Sequence, residues 1–368
     1  MTTAAHSENR FGQWPEDDRP RRRRMQQATR AVRDAGGALR GRRGGRGGRR
    51  RGGEQAMVPE AEFTSYYGKP VIKASPWEKD IPAYLFTGGL AGGLSLLAAG
   101  ADLTGRNVLR RSGRIGALTA ISASTYFLIN DLGKPSRFVN MLRVFRPTSP
   151  MSMGSWLLAG YGPLAGLAAM AELVPALPAF LRGPGQLLGA LGRPAGLGAA
   201  ALAPGVASYT AVLLGDTATP AWHDAHRQLP FFFAGSAAGA AGGLGMLTSP
   251  TGQAGPARRM AIGGVVLEMA TDQWMESEMG LSAETLHEGR AGRLLTTAKV
   301  LNAAGALGAL VGGRSRVVSA LSGAALLVGS ACTRFGIFEA GQASARDPKY
   351  TVVPQRERLD AGQPVRAG

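Results

Sequence analysis

His223 and His226 stand three residues apart in TATPAWHDAHRQLP, just before an apolar segment. An imidazole titrates near neutral pH, so this pair suits proton transfer between water and a buried site. A two-histidine metal site is the other reading of the spacing, and no further ligand stands nearby to complete one. Three carboxylates, Asp80, Asp131 and Asp216, fall where apolar segments begin or end. Any one of them could simply cap a helix or pair with Lys134 or Arg137. As a set they favour function, because ionisable groups at the ends of membrane helices are costly to bury.

The stretch Asp131–Trp156, DLGKPSRFVNMLRVFRPTSPMSMGSW, is polar, basic and punctuated by proline. It carries Lys134, Arg137, Arg143 and Arg146. Pro147 and Pro150 bracket Thr148 and Ser149, which predicts a rigid, capped turn into the next helix. A basic loop of this kind either rests in water and on anionic headgroups or forms a docking and ligand-contact surface.

These residues need a frame, and the frame is apolar. Eight segments follow one another near Ile81–Ala101, Gly113–Asn130, Gly154–Leu173, Leu197–Leu214, Leu229–Leu247, Arg259–Met275, Leu294–Gly312 and Val317–Phe338. A membrane-crossing helix needs about 20 mainly apolar residues. The sixth segment is the weakest, since Glu268 and Asp272 interrupt it. Small residues recur four apart, as in Gly88/Gly92, Gly89/Gly93, Gly235/Gly239/Gly243 and Gly308/Gly312. Such spacing lets membrane helices approach closely, whereas it would weaken a soluble helix. The expected fold is an all-α integral membrane protein, a bundle of eight transmembrane helices at residues 57–349. A soluble Gly/Ala-rich helical protein is the alternative.

Composition bounds the rest. The chain has 368 residues and a net charge of +17. Residues 1–56 hold 15 Arg against 6 acids and read as a disordered Arg/Gly-rich tail without a secretory signal. Residues 350–368 read as a polar C-terminal tail. A single cysteine, Cys332, excludes an internal disulfide, a cysteine zinc site or an iron–sulfur cluster. None of the four histidines lies inside an apolar segment, so no pair of intramembrane haem ligands is expected.

Eight crossings put both tails on one face. Asp80, Asp131, Asp216, His223, His226 and Arg227 fall on that face, with Asp272 and Glu339 ending helices six and eight there. The opposite face receives Arg106, Arg110, Arg111, Arg114, Arg182, Arg193, Arg258, Arg259, Arg314 and Arg316, in loops nearly free of acids.

DIPAYLFTGGLAGG, DLGKPSRFVNMLRVFRPTSPMSMGSW and YTAVLLGDTATPAWHDAHRQLPFFFAGSAAGAAGG together resemble the NrfD/PsrC family, the polysulfide reductase membrane subunits. The resemblance covers about residues 57–350. It implies a multi-pass subunit of the plasma (inner) membrane that handles quinone or quinol, of menaquinone or ubiquinone type, without haem. It implies a ferredoxin-like iron–sulfur subunit and a molybdopterin catalytic subunit as partners, as in formate dehydrogenase-like or polysulfide reductase-like respiratory complexes. On this reading Asp131, Asp216, His223 and His226 transfer protons. Asp80, Tyr84, Lys134 and Arg137 contact the quinone, and Arg143, Arg146 and Ser149 dock the partner. No metal site and no catalysis by the chain alone are expected. The alternatives are a multipass secondary transporter, which would carry charges at the midplane, and a nucleic-acid-binding membrane protein using the tail. Nucleic acid is the less expected partner.

Overall fold

A computed structural model of the chain describes residues 70–361 apart from 177 and 179–181. The Arg/Gly-rich tail, the first part of the segment expected from residue 57, and residues 362–368 lie outside the described residues. Among the described residues eight long helices follow in order: α1 Asp80–Leu103, α2 Asn107–Asp131, α3 Pro150–Ala171, α4 Arg182–Gly215, α5 Leu229–Thr248, α6 Gly255–Glu278, α7 Gly289–Val311 and α8 Arg316–Arg346. No strand occurs among the described residues. The polar stretch from residue 350 begins within a further helix, α9 Lys349–Asp360.

Among the described residues five helices are long and apolar enough to cross a membrane: α1, α4 from Gly185, α5, α7 and α8. The other three are equally long but more polar. α2 carries Arg110, Arg111 and Arg114, α6 carries Arg258, Arg259, Glu268 and Asp272, and glycine and serine dilute α3. Two helices also outrun their apolar segments. α6 reaches Glu278 and α8 reaches Arg346, so Asp272 and Glu339 lie inside their helices and not at the ends.

Consecutive helices run antiparallel. Asn130 near the end of α2 meets Asp80 at the start of α1, and Arg110 near the start of α2 meets Asp102 near the end of α1. Side-chain bonds stitch distant helices together. Tyr161 on α3 is fully buried, donates to the Ala91 carbonyl at 2.7 Å and shares a 2.7 Å hydrogen bond with Ser95, both on α1.

The small residues do what their spacing predicts. A Cβ on Gly93 would fall 2.6 Å from the Ala237 carbonyl of α5, and one on Gly243 would fall 2.7 Å from the Gly323 carbonyl of α8. Backbones therefore touch at these positions, the packing expected where apolar solvent gives helices no hydrophobic drive to associate.

The tail-side end is closed by the short helix Pro220–Asp224. Its Trp222 is 1% exposed, stacks on Trp77 at 6.0 Å, packs on Phe338 and donates to the Ile337 carbonyl at 2.9 Å. Gln342 of α8 donates to the Ser75 carbonyl at 3.0 Å, tying the segment before α1 to the same end.

Candidate functional site

The mouth of α1 collects most of the expected chemistry. Asp80 opens the helix, and Asn130 of α2 donates to its Oδ2 at 2.5 Å. Asp131, the last residue of α2, is half-buried within electrostatic range of Asp80 and Glu78. Three carboxylates thus share one helix junction, a placement that repulsion disfavours unless a proton or a donor offsets it. Lys134 and Arg137 follow in the turn after α2. Both are exposed, and neither side chain forms an ion pair with these acids among the described residues.

One turn below Asp80, Tyr84 points inward at 3% exposure. Its phenol shares a hydrogen bond with that of Tyr209 on α4, the rings lying edge to face at 6.4 Å. Tyr209 was not among the residues expected from sequence. Its signal was weak, a lone tyrosine in an apolar run.

Asp216 and His223 lie apart from this junction. Both line an open cleft of about 1150 Å³ between the short helix Pro220–Asp224 and α9, together with Asp224, Tyr350 and Arg358. Burial pushes the Tyr350 phenol above its ordinary range, so it stands there as a neutral hydrogen-bonding group. The His223 and His226 rings stack at 5.5 Å. Their Nδ1 atoms face backbone carbonyls, of Gly215 at 3.2 Å and of His223 at 2.7 Å, so both rings present Nε2 outward. Among the described residues no three His, Cys, Asp or Glu side chains converge as a metal would require.

The basic turn forms a third place. Ser149 caps α3 by accepting from the Ser152 amide, and Pro150 takes the first helical position. Arg146 and Ser149 line a groove of about 340 Å³ with Met141, Val144 and Met151. Arg143 and Arg146 are exposed, next to exposed Phe145 and Trp156, whose rings meet edge to face at 6.0 Å. Arginine beside exposed aromatics has the composition of a protein interface core.

A family model described as Polysulphide reductase, NrfD, matches residues 71–254, half of the chain. The chain belongs to the NrfD family. No curated protein matches the sequence. NrfD proteins are the membrane subunits of quinone-linked oxidoreductase complexes. The NrfD match spans α1 to α5, and so includes Asp80, Tyr84, Asp131, the basic turn, Tyr209, Asp216, His223 and His226. It stops before α6, short of the reach to about residue 350 read from the sequence.

Sequence reasoning missed two charged clusters. On the face opposite the tails, Glu172 accepts from Arg110 at 2.7 Å and Arg114 at 2.8 Å, and Asp102 meets Arg110, Arg114 and Arg193 at 3.4 to 3.5 Å. The arginines of that face are therefore partly neutralised, a correction to the reading of acid-free loops. The second cluster runs along α6. Glu268, Asp272 and Glu276 are four apart and share one face, with Glu268 at 5% and Asp272 at 8% exposure. Acids thus do not all gather at helix ends, as the sequence reading had it.

Proposed function

We propose that the chain is the quinone- or quinol-reactive membrane subunit of a respiratory oxidoreductase complex. It works beside an iron–sulfur subunit linked to a molybdopterin enzyme, with all eight long helices crossing the membrane. The observation that carries the reading is the junction of Asp80, Asn130 and Asp131 above the Tyr84–Tyr209 pair, inside the part of the chain that matches NrfD. Reduction of a quinone takes two electrons and two protons. The electrons come from a partner's cluster, because this chain supplies no cysteine set to hold one. The protons must come from water through side chains near the ring.

The junction supplies what this requires. Asp131 is partly exposed and can carry a proton between water and the junction. A phenol pair offers hydrogen bonds to a quinone carbonyl and to the anion that forms there. Asp216 and the outward Nε2 atoms of His223 and His226 sit on the same face and can feed protons to it. Arg143, Arg146 and the Phe145–Trp156 pair form the surface for the iron–sulfur partner. The transporter reading is weaker, because α6 and α8 pass the buried charges as continuous helices and not as broken halves.

The test is binding of a short-chain naphthoquinone to the full chain in nanodiscs, followed by quenching of tryptophan emission. Saturable quenching that weakens in Tyr84→Phe and Asp131→Asn is expected. Quenching that never saturates, or that ignores both substitutions, removes the quinone from this junction.

A further inference from the structure

The α6 cluster lies wholly outside the NrfD match and outside the junction at α1. Glu268 sits ten residues before the end of α6, about 15 Å along the helix axis from that end at 1.5 Å per residue, and is 5% exposed. Both of its carboxylate oxygens accept hydrogen bonds. Thr333 of α8 donates to Oε1 at 2.7 Å, and Asn302 of α7 donates to Oε2 at 3.1 Å. One turn closer to the tail-side face, Asp272 accepts from Lys299 of α7 at 2.7 Å. Lys299 also reaches Glu276 at 2.9 Å, and Glu276 meets His287 at 3.5 Å in the turn before α7. The side-chain exposures of Asp272, Lys299, Glu276 and His287 are 12%, 42%, 30% and 58%, so beyond Asp272 the chain of groups is in reach of water.

We propose that this chain is a proton-conducting half-channel, running from water at His287 through Glu276, Lys299 and Asp272 to a proton-binding carboxylate at Glu268. A proton from water binds at His287 or Glu276; the Lys299 ammonium gives one of its protons to Asp272 and takes the replacement from Glu276. Asp272 hands it to Glu268, whose carboxylate becomes a carboxylic acid. Each intermediate group ends as it began, and the net change is one proton taken from water and held at Glu268.

Three features of the site fit this work. Glu268, Asp272, Lys299 and Asn302 line a cavity of about 20 Å³, which is room for one water with several polar partners to bridge the last step. Thr333 has a second acceptor, the Gly329 carbonyl at 3.1 Å. When Glu268 is protonated, the Thr333 hydroxyl can turn to that carbonyl and accept from the acid, so both protonation states are satisfied. Arg334, adjacent to Thr333 and 1% exposed, supplies the buried positive charge that permits the ionised state. Its Nη2 donates to the Phe233 carbonyl at 2.6 Å, its guanidinium lies 3.7 Å over the Phe233 ring, and its Nε and Nη1 have no partner among the described residues.

The mobile species is a proton and not a metal cation. The charged groups facing Glu268 are Asp272 from its own helix, Lys299 from α7 and Arg334 from α8, while α5 presents Phe232 and the hydroxyl of Ser236. Two fixed cations among these oxygens occupy the field that a metal ion would need. Buried, paired carboxylates leading to water are the arrangement of an intramembrane proton relay.

The proposal does not rest on quinone binding. The full chain in nanodiscs is treated with dicyclohexylcarbodiimide, an apolar reagent for protonated carboxyls, and the modified peptide is mapped by mass spectrometry. Labelling of Glu268 that quickens as pH falls is expected. Lys299→Met should slow it several-fold. In infrared spectra recorded at two pH values, a carboxylic acid C=O band should be present, shift in heavy water, disappear in Glu268→Gln and persist in Glu268→Asp. Wild-type chain that is never labelled at Glu268 overturns the proposal, whether or not the variants fold. Labelling that stops at Asp272, a rate indifferent to Lys299→Met, or protection of Glu268 by sodium ions overturns it equally.

Discussion

Asn130, the penultimate residue of α2, donates to Asp80, the first residue of α1, at 2.5 Å. The bond closes the α1–α2 pair at its tail-side end and fixes Asp131 beside Asp80. Asp131 lacks that amide donor, accepts instead from the Glu78 backbone and is half-buried, so it is the acid assigned the proton exchange in the proposed function. Asp131→Asn keeps the shape and removes the carrier. Quinone-linked turnover of the assembled complex should fall by about a hundredfold, the usual contribution of a positioned proton-transfer group. Assembly should survive, as judged by co-purification. Normal turnover in this variant removes Asp131 from the site.

The Tyr84–Tyr209 pair separates a structural from a ligand-binding role. Removing one hydroxyl strands the other in the bundle, at about 1–3 kcal/mol. Removing both leaves no orphan. Tyr84→Phe and Tyr209→Phe should each lower the unfolding temperature in detergent, and the double variant should recover most of the loss. Naphthoquinone affinity should not recover with it. Recovery of both together would make the pair a structural bond alone.

Much of the frame was legible in the sequence. Six of the eight apolar segments lie wholly within one long helix, the third and seventh overrun theirs by two residues and one, and the Ser149–Pro150 cap stands where the proline spacing put it. Small-residue spacing announced the close contacts of Gly93 and Gly243. Pairing across helices was not legible. Glu268 and Asp272 read as flaws in a weak sixth segment, because their partners Lys299, Asn302 and Thr333 lie on α7 and α8. Their spacing of four, continued by Glu276, was the signal available. Asp102 and Glu172 were hidden likewise, since their arginine partners come from α2 and α4.

The cluster on the opposite face yields a stability prediction. The side chains of Arg114 and Glu172 are 8% and 7% exposed, and Glu172 also holds Arg110. Glu172→Ala leaves two arginines facing each other beside Asp102 alone. Losing one partner of a buried pair costs about 3–5 kcal/mol. The variant should unfold well below the parent chain in a thermal scan in detergent. Arg114→Leu combined with Glu172→Leu should be markedly less damaging. Equal loss in both variants would show that packing, and not charge pairing, holds this end.

The basic turn makes a prediction about assembly. Arg143 and Arg146 are exposed and unpaired with acids among the described residues, beside the Phe145–Trp156 pair. Reversing both to Glu should release the iron–sulfur partner, while the chain still inserts and keeps its unfolding temperature. Unchanged co-purification would move the docking surface elsewhere, with the cleft of Asp216, His223 and Tyr350 the next place to look.

Orientation follows from which face holds more arginine in short loops. The face opposite the tails carries Arg106, Arg111, Arg258, Arg259, Arg314 and Arg316 besides the clustered Arg110, Arg114 and Arg193. Pairing with Asp102 and Glu172 offsets part of that charge in the folded state. Insertion, however, responds to Lys and Arg and only weakly to Asp and Glu, so the clustered arginines still count. The tail-side face carries Lys134, Arg137, Arg143 and Arg146 in one loop, and Arg227 and Arg290 in others. Counted over the loops between helices alone, the balance favours the opposite face in the cytoplasm, while Lys73, Lys79, Arg346 and Lys349 beside the start of α1 and the end of α8 count for the tail-side face. The α1 junction, the basic turn and the mouth of the α6 relay at His287 would then all face outwards. A reporter fused after Gly368, one active only in the cytoplasm and one only outside it, decides this, and activity of the outside reporter is the expected result. Activity of the cytoplasmic reporter would place the junction, the partner surface and the relay mouth on the inner face, so that protons bound at Glu268 are drawn from the cytoplasm.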